Sequence, residues 1–209
     1  MNSDYANASI YGAWPKYHSA YEAVFAEQHE INRLCEVIGK PPLFKEVLDE
    51  DKRPLEFAPM LLPTQRQFNA FAQTLDKLLS ENINREFFQD DIPSEDRMEA
   101  KDGSIERRQV GTITLVERFL KKHYRTADGE EISGEIVGPW RNVRKLRSAP
   151  SHTFRADTYD LRFPGEQDDL LGEVVRNLTR LRLVLWSHPK ARHNYKPPDW
   201  LDGDKIVFF

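Results

Sequence analysis

The chain has 209 residues and a formal net charge of −4, with 39% hydrophobic and 31% charged residues. That composition supports one sizeable core, or one domain with an appendage, reads as a soluble, surface-charged chain rather than a disordered one, and argues against a bulk basic nucleic-acid coat. The sequence shows no apolar run near the roughly 18 residues of a spanning helix and no basic-then-apolar secretory signal, and its one cysteine excludes an intrachain disulfide or a cysteine-based zinc site, so a cytoplasmic protein without membrane contact is expected.

The spacing of Tyr17, Tyr21, Val24, Phe25, Ile31, Leu34 and Ile38 predicts a helix over 16–38, ended by Gly39. Cys35 falls in that pattern and reads as a core residue. Pro41-Pro42 breaks the chain, and a short helical turn is expected over 43–48. Residues 49–63 carry three prolines and read as a surface loop. Thr64 is a cap for a second helix over 64–88, with Phe68, Phe71, Leu75, Leu78 and Leu79 on its apolar face. The acidic stretch 89–101 reads as a loop or insertion.

Residues 110–114 favour a strand by propensity. Leu115, Val116, Phe119 and Leu120 nevertheless share a face, and a helix over 109–124 is preferred. Asp128-Gly129 reads as a turn and 130–137 as a connection. A cationic helix is expected over 139–149, with Gly138 as cap and Pro139 in the first turn. A loop with Pro164-Gly165 leads to a last helix over 168–186, striped by Leu171, Val174, Val175, Leu178, Leu181 and Leu185. The apolar end, residues 206–209, must pack on its own core or on a partner. The sum is an all-α chain, an antiparallel bundle of about five principal helices in one domain over 1–209. N-terminal helices and acidic loops make up 1–100, and the site-bearing part begins at 104.

The sequence has no phosphate-cradling glycine loop, dinucleotide fingerprint, HExxH or GxSxG. His188, His193 and Asp199 lie near one another without helical spacing and read as no metal site. No metal or cofactor is expected. Cations are densest in 138–154, GPWRNVRKLRSAPSHTF, where Arg141, Arg144, Lys145 and Arg147 fall within two turns and Ser151-His152 follows. RNA can be cleaved without metal by a base for the 2′-hydroxyl, an acid for the leaving oxygen and a cation for the charged transition state. Histidine titrates in the useful range, and arginine offers phosphate a planar charged fork. On a regular helix Arg147 and His152 would point about 140° apart. Pro150 should end or kink the helix near Ala149, which lets His152 return toward the Arg147 side.

The run LRSAPSH, preceded by PWRNVRK, resembles the signature helix of the HEPN superfamily: an Arg, usually a small polar residue, a few more positions, then a His. The stretch 174–201 is similar, more loosely, to the last helix and tail of HEPN-like bacterial proteins. The resemblance implies a small helical bundle that dimerises to form a metal-independent ribonuclease cleft, of the kind found in toxin–antitoxin and antiviral defence systems. Arg147 and His152 match the two named positions of the motif. The position after the Arg, often Asn in the family, is Ser148 here. On this reading His152 is the general acid/base and Arg147 the phosphate clamp. Arg144 and Ser148 support them, and Ser151, Arg141, Asn142 and Lys145 are further substrate contacts. The implied partners are RNA, a second copy of the chain, and an antitoxin or other protein.

Two other readings stand beside it. One is a catalytically silent HEPN-like module that binds RNA or a protein. The other is a plain helical interaction protein, favoured if the acidic loops over 46–51 and 90–99 neutralise Arg141, Arg144 and Lys145. The enzyme needs Arg147 and His152 open and close to their dimer mates, whereas the module tolerates them paired with Asp or Glu. Arg176, Arg180 and Arg182 read as surface residues. Tyr124, Trp140 and Tyr159 read as packing residues.

Overall fold

The computed structural model describes residues 17–99, 105–126, 128–147, 157–201 and 205–207. It is mostly helical, with five helices: α1 Ala20–Ile38, α2 Gln65–Asp76, α3 Thr112–His123, α4 Ser133–Arg147 and α5 Phe163–Trp186. Strands are few and short. β1 (His18–Ser19) pairs in parallel with β4 (Ile206–Val207), and β2 (Glu95–Glu99) pairs antiparallel with β3 (Ile105–Gln109).

Each helix follows from its apolar spacing, and its ends follow from local chemistry. Ser19 caps α1 by accepting from the Glu22 backbone N–H, and Thr64 caps α2 by accepting from Gln67 in the same way. Gly39 closes α1 in the left-handed region at φ 83°, and its N–H reaches back to the Glu36 carbonyl. α1 packs most extensively on α5, while α4 touches α2, α3 and α5. The core is therefore built of the stripes over 20–38 and 170–185, with Trp140 and Val143 of α4 fully buried among them.

Several boundaries depart from the sequence reading. The helix expected over 64–88 stops being α-helical at Asp76 and continues as a π-helical turn, Lys77–Glu81. Isolated residues then lead to a 3₁₀ turn, Arg85–Phe88. The carbonyls loosened by the π turn take donors from other elements. Gln28 Nε2 donates to Leu78 O at 2.7 Å, Thr112 Oγ1 to Ser80 O at 2.6 Å and Lys45 Nζ to Glu81 O at 3.0 Å. These partners are distant in sequence, so local propensity cannot announce the change.

α4 begins at Ser133, not Pro139, and so takes in a stretch read as a connection; Pro139 sits inside the helix. α5 begins at Phe163 with Pro164 in its first turn, where a missing N–H costs nothing, so Pro164 opens the helix instead of lying in a loop. Residues 95–99, expected in a loop, form β2, and the helix expected from 109 starts at Thr112 because β3 precedes it. The stretch 43–48 is not helical; Phe44 bridges to Ile83 instead. Tyr17 is exposed and lies ahead of α1, off its apolar face. Of the apolar end, Ile206 and Val207 pack on their own chain as β4 against β1, beside Trp200 stacked on His18 at 3.9 Å, and residues 208–209 lie outside the described residues. Among the described residues no helix is long and apolar enough to cross a membrane.

Candidate functional site

α4 presents its cations to two neighbours. Glu117 on α3 receives Arg141, and Lys121 on α3 reaches Glu117 at 3.3 Å and Glu131, just ahead of α4, at 3.2 Å. These contacts run α3 and α4 antiparallel. Arg141 first, then Lys121, draw the Glu117 carboxyl below its ordinary pKa against the opposing effect of burial.

Toward its C-terminal end α4 meets the end of α2 and the π turn. Asp76, the last residue of α2, is completely buried. Arg144 Nε lies 3.4 Å from Asp76 Oδ1, and Arg144 Nη2 donates to Ser80 Oγ at 2.8 Å. Arg147 Nη1 donates to Asp76 Oδ2 at 2.7 Å and also to Glu81 Oε1. Ser80 Oγ in turn donates to Asp76 Oδ1. Residues 144 and 147 are one turn apart and share a face, so both reach the same carboxylate. The two carboxylates, Asp76 first and Glu81 second, hold the Arg147 guanidinium above its ordinary pKa, so it stays charged.

Asp76 is the residue that sequence reasoning passed over. Its signal was present: a single carboxylate within the apolar stripe of Phe68, Ala72, Leu75 and Leu79, all buried. A buried charge demands a partner, and α4 supplies two. Glu81 carried no such signal, because it is exposed and lies beyond the α-helical period.

The expected site residues thus divide. Arg144 and Arg147 come together. Arg141 is turned to Glu117. Asn142 and Lys145 are exposed on α4, and among the described residues neither forms a side-chain hydrogen bond or ion pair. Ser148, Ser151 and His152 lie outside the described residues. Among the described residues, the carboxylates seen to meet the α4 arginines come from α2, the π turn and α3, because α4 packs against those elements.

Arg182, expected on the surface, is fully buried. Its Nε donates to Glu27 Oε2 at 2.7 Å, and Glu27 is equally buried. The pair ties α5 to α1. Trp140 is buried, and Tyr159 is exposed.

Comparison with known protein families, curated proteins and solved structures finds no match to this chain.

The arrangement leaves one edge of the Arg147 guanidinium open among the described residues. Both bonds of Arg147 use Nη1. Its Nε and Nη2 donate no hydrogen bond among the described residues, and its side chain is 33% exposed. One nitrogen is fixed by a carboxylate sealed in the protein. Glu81, at 42% exposed, is the outer and more replaceable of the two carboxylates.

Proposed function

We propose that the chain is a HEPN-like helical protein that cleaves RNA without a metal, in a cytoplasmic defence or toxin–antitoxin setting. Arg147 clamps the scissile phosphate and His152 acts as general acid/base. The observation that supports this reading is the anchoring of Arg147. Asp76 holds it by one nitrogen from a fully buried position, so the cation is oriented before any substrate arrives. An arginine positioned in this way needs no reorganisation to offer its Nε and Nη2 to two phosphate oxygens. Arg144, held on the same carboxylate, stiffens the helix end that leads into Ser148 and His152.

A second reading, the catalytically silent module, is favoured by Glu81. Asp76 and Glu81 together bring the formal charge of Arg144 and Arg147 to zero, which weakens any long-range pull on RNA. Cleavage of a mixed RNA substrate in EDTA separates the two readings. The enzyme reading expects wild-type cleavage that falls at least about a hundredfold in His152→Ala, the scale of a lost acid/base group. Absence of cleavage by the folded wild type across several RNAs leaves the silent module.

A further inference from the structure

Three helices end on one cavity. α1 stops at Ile38, α3 at His123 and α5 at Trp186. Beside these ends lies a cavity of about 360 Å³, with Lys40, Asp91, Tyr124, Arg125 and His188 in its wall. A cavity of this size holds a small molecule. A helix C-terminus presents unpaired carbonyls and about half a negative charge, so three such ends would ordinarily suit a cation. Here the chain meets its own ends. The Gly39 and Lys40 N–H groups return to the Glu36 and Cys35 carbonyls of α1. Arg125 Nη1 donates to the Lys121 and Tyr124 carbonyls at the end of α3, and Ser187 Oγ donates to Val184 O of α5 at 2.7 Å. Asp91, the one carboxylate among the described residues of the wall, already meets Lys40, His123 and Lys122.

The donors of the wall are less fully engaged. Lys40 Nζ has three hydrogens and gives two, one to Asp91 Oδ2 and one to the Phe87 carbonyl at 3.1 Å. It is held over the rings of Phe87 and Phe119, at 4.9 and 5.4 Å. His188 Nδ1 accepts from the Lys190 N–H at 3.3 Å, which puts the proton of the neutral imidazole on Nε2. Among the described residues, Arg125 Nε and Nη2, His188 Nε2 and the Tyr124 hydroxyl donate no hydrogen bond. Arg125 Nε and Nη2 form one edge of the guanidinium, and that edge matches the two oxygens of a carboxylate. A wall whose acceptors are met and whose donors are left over is complementary to a ligand rich in acceptors. Two of those donors, Lys40 and Arg125, are cations and favour an anion.

We propose that this cavity binds a small organic monoanion, a carboxylate head on a flat apolar body. Arg125 takes the head by its Nε–Nη2 edge, with the third hydrogen of Lys40 and His188 Nε2 as further donors. Ile38, Phe119 and Pro189 give the body its apolar surface. The cavity is built at the ends of α1, α3 and α5, so the inference is independent of Arg147 on α4 and of RNA.

Calorimetric titration of the full chain with benzoate tests this, beside benzamide, which keeps the ring and loses the charge, and acetate, which keeps the head and loses the ring. Benzoate is expected to saturate one site with a Kd of about 1 mM or tighter. Benzamide and acetate should each bind at least about tenfold more weakly. Arg125 is exposed, so Arg125→Gln should keep the wild-type fold by circular dichroism and weaken benzoate about tenfold. His188→Ala removes a donor on the opposite side from α3 in the chain and should weaken it several-fold, roughly the worth of one hydrogen bond. Absence of saturable benzoate binding by the wild type overturns the proposal. So does benzamide that binds as tightly as benzoate, or folded Arg125→Gln and His188→Ala proteins that both bind benzoate like the wild type.

Discussion

Arg182 and Glu27 show how far one residue can differ from its class. Both side chains are fully excluded from solvent, and the Glu27 carboxylate also accepts from Thr179 at 2.7 Å. Truncating one partner leaves the other charge buried without it. Arg182→Met is therefore expected to destabilise the chain by about 3–5 kcal/mol, as a fall in the urea midpoint, while Arg182→Met with Glu27→Leu recovers much of the loss. A single variant that unfolds like the wild type would show that the charges are screened by water. In the sequence Arg182 sits between Leu181 and Leu185 of the apolar stripe, and Glu27 between Phe25 and Ile31. Each looks like a solvated neighbour of a stripe until α1 and α5 are laid together. Leu171, Val174, Val175, Leu178, Leu181 and Leu185 were legible because burial of an apolar side chain needs no particular partner. Arg182 was not, because its burial depends on one carboxylate 155 residues away. The same distinction governs the candidate site. Arg144 and Arg147 were legible as a cationic cluster, whereas their anchoring by Asp76 required the packing of α4 on α2.

Between elements, Asp91 makes the densest electrostatic tie. It follows the 3₁₀ turn and binds Lys40 beyond α1 at 2.5 Å and His123 at the end of α3 at 3.0 Å, with Lys122 at 3.8 Å. Burial alone would raise its pKa. Lys40 first, then His123, outweigh this and hold the carboxyl below its ordinary value. The folded pKa is thus lower than the unfolded one, near 4. The stabilisation is complete above that pH and disappears as pH falls through the folded value. Asp91→Asn should therefore be less stable than the wild type at pH 6, and the gap should close as pH drops from about 5 toward 3. A gap that stays constant across that range would mean that Asp91 acts through packing alone. Element types were largely legible in the sequence, since four of the five helices and their stripes follow from 3.6-residue spacing, while α4 was expected from a Gly138-Pro139 start signal and its cations. The ends were less so. The π turn depends on Gln28, Lys45 and Thr112, and β2 and β3 are charged strands whose alternation carries no apolar signal.

At the scale of the molecule, the end of α4 is where a buried carboxylate, a π-helical turn and two arginines converge. The account turns on whether the open edge of Arg147 takes RNA phosphate. Binding of single-stranded RNA to the His152→Ala protein, followed across salt concentration, measures this without turnover. Adding Arg147→Ala should weaken binding several-fold and reduce the salt slope by about 0.7, the share of one phosphate contact on a single strand. An affinity and a slope that both stay unchanged would contradict the account and leave Arg147 as the cation that fixes α4 to Asp76.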